Sequence, residues 1–377
     1  MSSTQRREPT VDGPKSSIGS RVKAWWAVTS KRMQVPQSEI LEIVTQLAIM
    51  FDTGLNLSQA LEVLERQAGS PHLGRFVGAI RADVEEGRPL SVAMTRQEWA
   101  FSPVAIALVR AGEATGDLGG MLQKVAEFME RDIGTRKKVK GAMAYPIFMA
   151  VLATCVVIFL LINVFPKFAD LFGDKPELLP APTRFFLNLS ELLQSDGYWI
   201  FPAGILAVFG LVLAIRSKEG RQFCDPIFIR LPAFGSLIKA VSISRSFHVL
   251  GVMMNAGLNV LEALGLAAEV AGNHKYVHLW EETQRRVENG SDISETLLND
   301  PLIPPAEAAM ISLGERSGTL PHVLGRITHH HEKKVDSAIK AFVAVIEPSM
   351  TILMGAVVAL IVSSLILPMF KLSQVMK

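Results

Sequence analysis

Residues 111–120 read AGEATGDLGG, a glycine-rich stretch with an acid and a hydroxyl residue between two segments of helical patterning. Backbone N–H groups at such a turn can bind a phosphate when the turn opens a helix. A Walker-type phosphate loop, however, requires GxxxxGK[ST], in which the lysine and the hydroxyl contact phosphate and metal. This stretch contains no lysine and its glycines are spaced differently. A corner between two helices is therefore the favoured interpretation, and a nucleotide site is the alternative.

The same motif occurs a second time, as GERSGTL at 314–320 beside GEATGDL at 112–118. In both copies the second glycine, Gly116 or Gly318, suits the left-handed position that follows the end of a helix. The next residue, Asp117 or Thr319, suits the N-cap of the following helix. The two copies therefore predict a helix–helix corner that is used twice.

The acid of each motif is a candidate for a functional contact. Glu113 and Glu315 are predicted to accept hydrogen bonds from backbone donors at the start of the following helix, where an anion is favoured. Because the corner presents an acid and a turn at equivalent places on both copies, it is also a candidate contact surface. The motif residues are Gly112, Glu113, Gly116, Leu118, Gly314, Glu315, Gly318 and Leu320.

Two groups of histidines invite a metal-site interpretation. His329, His330 and His331 are consecutive, and neighbouring side chains on a helix point about 100° apart, so the three cannot converge on one ion. His274 and His278 have i, i+4 spacing, but no third ligand accompanies them. Both groups are predicted to lie on a solvated or headgroup-facing surface. No nucleophile–base set, carboxylate pair or dinucleotide fingerprint stands out, so the sequence predicts neither an enzyme nor a cofactor.

The elements that position these residues include membrane spans. Hydrophobic residues make up 49% of the 377 residues and charged residues only 20%, a skew that is typical of membrane proteins. Three uncharged apolar stretches, 147–165, 199–215 and 349–367, approach the ~20 residues that a helix needs to cross a bilayer. The second is shorter and contains Pro202. The formal net charge of +2 does not by itself favour a nucleic-acid partner.

Flanking charges orient these spans. Basic residues concentrate before the first span, after the second and before the third, whereas the loop between the first two contains five acids and three bases. By the positive-inside rule, that loop lies outside the cytoplasm and both long polar segments lie inside it. The polar N-terminus has no apolar signal-peptide core and is predicted to be disordered. The predicted order is arm 1–36, lobe 1 37–146, span 147–165, external loop 166–198, span 199–215, lobe 2 216–348, span 349–367 and external tail 368–377.

An internal duplication determines the predicted architecture. LAIMFDTGLNLSQALEVLERQAG at 47–69 aligns with LGVMMNAGLNVLEALGLAAEVAG at 250–272, an offset of 203 residues, and the two motif copies align at 202. Helical periodicity and glycine, proline and serine breaks divide each copy into about six short helices, with Ser58 as a plausible N-cap. The last helix of each copy continues into a span. The predicted fold is an all-α membrane protein with two homologous cytoplasmic helical bundles and three transmembrane helices.

Together these features resemble one protein family. The paired QLA and GL segments, the paired G-E-x-[ST]-G-x-L motifs, YP before the first span, EP before the third and P-x-F after each are similar to those of the platform proteins of type II secretion and type IV pilus machines. The resemblance implies a non-enzymatic protein of the bacterial inner membrane, with most of its chain in the cytoplasm. Pro146 and Pro348 then mark the positions at which the chain enters the membrane.

The resemblance also implies partners. They are a hexameric assembly ATPase, pilin or pseudopilin subunits, other inner-membrane assembly proteins, membrane lipid and further copies of the chain, with no direct nucleic-acid contact. In this hypothesis both lobes engage the ATPase, and its motion passes through the last helix of each lobe into the membrane. Two alternatives are a transporter, which is disfavoured because no span carries a charge, and a nucleotide-responsive membrane regulator with its site at 111–120.

Overall fold

In the computed structural model, residues 35–167, 181–195 and 234–375 are described, together with Leu206 and Gly210. Within these ranges every regular element is a helix, and no strand occurs. The chain divides into two compact units, Met1–Ile133 and Gly134–Lys377. Nearly all of the predicted arm and of the predicted span 199–215 lie outside the described residues.

The first lobe is a bundle of short helices that ends in one long helix. The helices are α1 (Gln37–Asp52), α2 (Leu57–Arg66), α3 (Pro71–Glu85), α4 (Leu90–Thr95), α5 (Pro103–Thr115) and α6 (Leu118–Phe159). A π-helical turn, Leu160–Val164, continues α6. The apolar faces of the bundle meet in a core that includes Ile40, Leu61, Val77, Leu108 and Val125. The predicted set of about six helices is confirmed.

The second lobe repeats this order after α7 (Ala181–Ser195). Its helices are α8 (Phe234–Asn255), α9 (Val260–Val270), α10 (His274–Glu288), α11 (Ile293–Leu298), α12 (Pro305–Arg316) and α13 (Leu320–Val375). They correspond one to one with α1–α6. Phe247, Tyr276 and Trp280 are among the largest fully buried side chains of this lobe.

The N-cap of α2 differs from the prediction. Asn56, not Ser58, caps this helix, because the side chain of Asn56 accepts a hydrogen bond from the N–H of Gln59 at 2.8 Å. Asn56 has the extended backbone of an N-cap residue, whereas Ser58 already lies in the first turn. The second copy uses the equivalent Asn259, which accepts a hydrogen bond from the N–H of Leu261 at 3.0 Å. The cap is thus duplicated with the fold.

Three described helices are long and apolar enough to cross a membrane. Two of them, Leu118–Lys167 and Leu320–Ser364, contain the first predicted span and most of the third, and only 6% of the most apolar part of each is buried. The third, Gly235–Asn255, is 56% buried, with Phe247 and Leu250 in the core of the second lobe. Protein atoms already cover much of its apolar surface, so we assign it to the bundle.

The second unit also contains the end of α6. From Gly134 onward this helix lies in the same compact unit as α13. Lys138 and Asp336 form an ion pair with Nζ and Oδ1 2.7 Å apart. Farther along, a small apolar cluster contains Leu161, Phe165 and Ile361. The two long helices therefore contact each other both before and within their apolar segments.

Candidate functional site

The motif residues of lobe 1 form the corner between α5 and α6. Gly116 ends α5 in the left-handed conformation, with φ 79°, which an L side chain adopts only with strain. Asp117 caps α6, because its Oδ1 accepts a hydrogen bond from the N–H of Gly120 at 3.0 Å. Leu118 is the first helical residue and is buried. The predicted helix–helix corner is confirmed in this lobe.

The corner of lobe 2 has the same backbone course between α12 and α13. Gly318 has φ 71°, and the N–H of Thr319 donates to the carbonyl of Gly314 at 2.8 Å. That bond joins residues five apart and satisfies one of the free carbonyls at the helix end. The hydroxyl of Thr319 lies 2.7 Å from that of Ser317. Leu320 is buried like its counterpart in lobe 1.

The first glycine of each motif allows the two helices of the corner to approach closely. A Cβ atom on Gly112 would lie 2.9 Å from Cβ of Met121 and 3.0 Å from the carbonyl oxygen of Asp117. A Cβ atom on Gly314 would lie 2.8 Å from a methyl carbon of Val323. These separations are shorter than van der Waals contact, so a side chain at either glycine would force the helices apart.

The acid of each motif caps a helix other than the predicted one. Glu113 accepts hydrogen bonds from the N–H and hydroxyl of Ser91, at 3.0 and 2.6 Å. Glu315 accepts from the N–H groups of Ile293 and Ser294, at 2.7 and 3.0 Å. These donors lie at the start of the short helices α4 and α11, not at the helix that follows the motif. The prediction was wrong because sequence distance hid a partner about 22 residues upstream.

Each glutamate therefore links the motif helix to the preceding short helix by hydrogen bonds, and we call this contact the latch. The first N–H groups of a helix have no partner within that helix, and a carboxylate is a strong acceptor for them. Both oxygens of each carboxylate accept a hydrogen bond from the short helix, three of the four bonds from backbone N–H groups and one from the hydroxyl of Ser91. The side chain is thus committed to holding the lobe together. The residues of the corner that remain exposed are Ala114, Thr115, Gly116 and Asp117 in lobe 1 and Arg316, Ser317, Gly318 and Thr319 in lobe 2.

The histidine run is only partly solvent-facing. His329 and His330 are exposed as predicted, but His331 is buried and its ring packs beside Phe247, with centroids 6.2 Å apart. The prediction failed for His331 because α13 turns this position toward the core of lobe 2. Among the residues that the structure describes, no group of three or more potential ligands could hold a metal ion.

His331 belongs to a buried polar cluster with Glu307 of α12 and Lys334 of α13. Nε2 of His331 lies 2.7 Å from Oε2 of Glu307, a close contact without the alignment of a good hydrogen bond. Nζ of Lys334 lies 2.9 Å from Oε1 of Glu307. Burial alone raises the pKa of Glu307, but its contacts with His331 and Lys334 outweigh burial and hold the pKa below its ordinary value.

Lobe 1 has no such cluster. At the 202-residue offset, Glu307 corresponds to Ala105 and His331 to Met129, and both of these apolar side chains are buried. The sequence carries a signal for the cluster, because two positions that are apolar in the first copy are both polar in the second. A polar residue aligned with a buried apolar one requires a partner.

The cluster makes the stability of lobe 2 depend on pH. A carboxyl group with a lowered pKa in the folded state stabilises that state above its unfolded pKa of about 4.3, and the contribution is lost as the pH falls through the lowered value. We therefore expect Glu307→Gln to weaken the acid destabilisation of lobe 2 below about pH 4.3. The loss of stability with falling pH is measured by hydrogen exchange of α12 in the full chain between pH 6 and 3. The control is Glu269→Gln, which replaces an exposed acid of the same lobe. Equal acid sensitivity in the wild type and both variants would contradict this expectation.

Both proposed membrane-entry prolines lie inside long helices. Pro146 lies within α6 and Pro348 within α13, and each helix continues past its proline. A proline inside a helix removes one backbone hydrogen bond. The two helices therefore each lack one backbone hydrogen bond at equivalent positions.

Comparison with known proteins supports the resemblance seen in the sequence. Residues 43–166 and 247–368 match the family described as Type II secretion system (T2SS), protein F. The chain is 34% identical over 328 residues to the type IV pilus assembly protein PilC of Thermus thermophilus, with 87% of this chain and 80% of that protein covered. It is 31% identical over 339 residues to PilC of Myxococcus xanthus, at 90% and 81% coverage. It is 32% identical over 335 residues to type II secretion system protein F of Pseudomonas aeruginosa, at 89% and 83% coverage.

The matches also bear on the fold. The two matched segments coincide with the two copies of the duplication, each of which runs from the bundle into an apolar helix. The all-α architecture with duplicated bundles is thus confirmed. A match over more than half of the residues, with relatives above 30% identity along most of their length, establishes the family. The chain belongs to the type II secretion system protein F family, which also includes the type IV pilus assembly proteins to which its sequence is similar.

Proposed function

We propose that this chain is an inner-membrane platform protein of a type II secretion or type IV pilus machine, and that its lobes couple a cytoplasmic hexameric ATPase to the insertion or extraction of pilin-like subunits. The family membership supports the machine, since the relatives are named for secretion and pilus assembly. In this proposal both lobes lie in the cytoplasm, and the segments 147–165, 199–215 and 349–367 cross the membrane. The chain works without catalysis or a cofactor, beside lipid, other assembly proteins and further copies of itself.

The observation that carries the coupling is the continuity of the helix that leaves each corner. α13 begins at the corner of lobe 2 and runs without interruption for 56 residues, through its apolar segment. α6 begins at the corner of lobe 1 and runs for 42 residues, past Pro146 into the first apolar segment. A displacement applied at either corner is therefore applied directly to a helix that reaches the membrane.

The proposal divides the motif into two kinds of residue. Gly112 and Gly314, with the two glutamates, hold the corner in shape. The exposed turn residues are the surface that the ATPase would contact. In lobe 2 this surface contains Arg316, an exposed cation next to the latch glutamate. The latch and the surface can therefore be tested separately.

We expect Arg316→Glu to leave the amount of protein in the membrane unchanged and to lower fibre assembly or secretion about tenfold, as for the loss of a contact of about 1.4 kcal/mol. The matched control is Arg285→Glu on α10, where the wild-type side chain is 70% exposed. Both variants are produced at native level in a strain that lacks its own copy, and protein level and fibre output are measured. Assembly at the wild-type level with Arg316→Glu would contradict a role for this surface, and a matching loss with Arg285→Glu would show a general charge effect.

A further inference from the structure

Lobe 2 contains a cavity of about 880 Å³ that the motif does not use. Its walls come from the start of α8, from the segment 298–305 between α11 and α12, and from the part of α13 between His331 and Ala341. Several aliphatic and proline side chains form its sides. The buried cluster of Glu307, His331 and Lys334 lies at one side, since two of its members line the cavity.

The cavity offers cationic and hydroxyl groups. Lys239 of α8 and Lys334 of α13 both line it, as do the hydroxyl residues Ser236 and Ser337. The side chain of Lys239 is exposed and has no carboxylate partner among the described residues. His331 is only 1% exposed, and its Nδ1 has no hydrogen-bond partner within the described part of the chain.

The acids near the cavity are already engaged by protein groups. Oδ1 of Asp300 accepts a hydrogen bond from the N–H of Leu302 at 2.8 Å. The two oxygens of Glu307 face His331 and Lys334. The hydroxyl of Tyr276, whose pKa is raised by burial and by the nearby charges of Asp300 and Glu307, donates to the carbonyl of Leu302 and stays neutral. Of the two lysines that line the cavity, Lys239 is therefore the one that is not paired with a carboxylate among the described residues.

Comparison of the two copies shows that folding of the bundle does not require the polar groups that line the cavity. At equivalent positions, lobe 1 has Pro36 for Lys239, Met129 for His331 and Asp132 for Lys334. The same six-helix order forms in lobe 1 without a single one of these cationic or imidazole groups. The polar lining of lobe 2 is thus an addition to a bundle that does not require it.

The cavity also lies close to the membrane along α13. Ala341, its last lining residue on this helix, is seven residues before Pro348, or about 10 Å at 1.5 Å per residue. From Pro348 to Phe370 the sequence contains no charged residue. Basic pockets at this depth are suited to the phosphate groups of membrane lipids.

We propose that this cavity binds a phosphate-bearing anion, with the ammonium group of Lys239 on the phosphate oxygens and the hydroxyls of Ser236 and Ser337 as further donors. Lysine binds phosphate as a point charge, which suits an open cavity better than a planar fork would. The phosphate belongs either to an anionic lipid headgroup or to a free phosphate. The site stands independently of any contact with an ATPase.

The test uses the full chain in nanodiscs of phosphatidylcholine, with and without phosphatidylglycerol, and in phosphatidylcholine with added inorganic phosphate. Hydrogen exchange of the segment 298–305 is measured in the wild type, in Lys239→Gln and in Lys340→Gln. Lys340 is an exposed lysine of the same helix as Lys334 but does not line the cavity, so it controls for general charge attraction. Neither substituted lysine makes a described contact that the bundle needs.

We expect exchange of this segment in the wild type and in Lys340→Gln to slow about tenfold when the anion is present at ten times its Kd. Lys239→Gln should lose this protection. Protection by phosphatidylglycerol alone identifies a lipid headgroup as the ligand, and protection by inorganic phosphate identifies a free phosphate. The absence of protection by either anion, or equal protection in Lys239→Gln and Lys340→Gln, overturns the proposal.

Discussion

Glu307→Ala is expected to destabilise lobe 2 by about 1–3 kcal/mol, the cost of leaving a buried polar group without its partner. The substitution leaves the imidazole of His331, whose side chain is 2% exposed, without its carboxylate. Lys334 suffers less, because its side chain is 42% exposed and reaches water. The measurement is hydrogen exchange of α10–α12 in the detergent-solubilised full chain, where local stability can be read separately for each lobe.

Lobe 1 supplies the matched rescue. The double variant Glu307→Ala, His331→Met introduces the residues of the equivalent positions in the other copy, Ala105 and Met129, which are both buried. Because an apolar pair needs no hydrogen-bond partner, most of the loss is expected to be recovered. Exchange in the α2–α4 region of lobe 1 should stay unchanged in both variants. A single variant as stable as the wild type, or a double variant no better than the single one, would show that the contact between Glu307 and His331 does not stabilise lobe 2.

Glu315→Ala is expected to destabilise lobe 2 by about 2–6 kcal/mol, because two backbone donors at the start of α11 lose their acceptor and each costs about 1–3 kcal/mol when left unpaired. Ile293 and Ser294, which carry these donors, are 2% and 4% exposed, so water cannot readily replace the carboxylate. Exchange of α11 should accelerate first, and exchange of α12 should follow. The stability of Glu315→Gln should lie between those of the wild type and Glu315→Ala, because the amide keeps one acceptor oxygen but turns an NH₂ group toward the other donor.

The control for the latch is Glu269→Ala, which removes an exposed acid from α9 of the same lobe and should change stability by less than about 0.5 kcal/mol. Glu113→Ala tests the equivalent contact independently, through the stability of lobe 1. There the carboxylate binds the N–H and hydroxyl of a single residue, Ser91. If Glu315→Ala lowered fibre assembly without accelerating exchange of α11, the glutamate would be a contact residue rather than a latch.

The sequence predicted those parts of the structure that depend on local patterns and on the duplication. Periodicity and glycine–proline breaks located the helices, and the paired GEATGDL and GERSGTL stretches located both corners. The left-handed Gly116 follows from its place at the end of a helix, which is a property of the adjacent backbone. The same local reasoning predicted that Asp117 caps α6.

Contacts between distant segments were not accessible in this way. The partner of Glu113 is Ser91, in a different helix, and no local rule selects it over the donors of α6. His331 was assigned to a polar surface because its neighbours are polar, although a helix places adjacent residues on different faces. Comparison of the two copies contained the missing information, since the position of His331 is a buried methionine in lobe 1.

Bending stiffness varies along the two longest helices. α13 has 56 residues, or about 84 Å, of which about 30 Å suffices to cross the hydrocarbon of a bilayer. Pro348 has no N–H, so the carbonyl of Ala344 loses its helical partner, and Pro146 has the same effect on the carbonyl of Ala142 in α6. Each helix is therefore most compliant in bending just before its apolar segment. Its other backbone hydrogen bonds are intact, so each helix stays stiff along its axis, as the proposed transmission of an axial displacement requires.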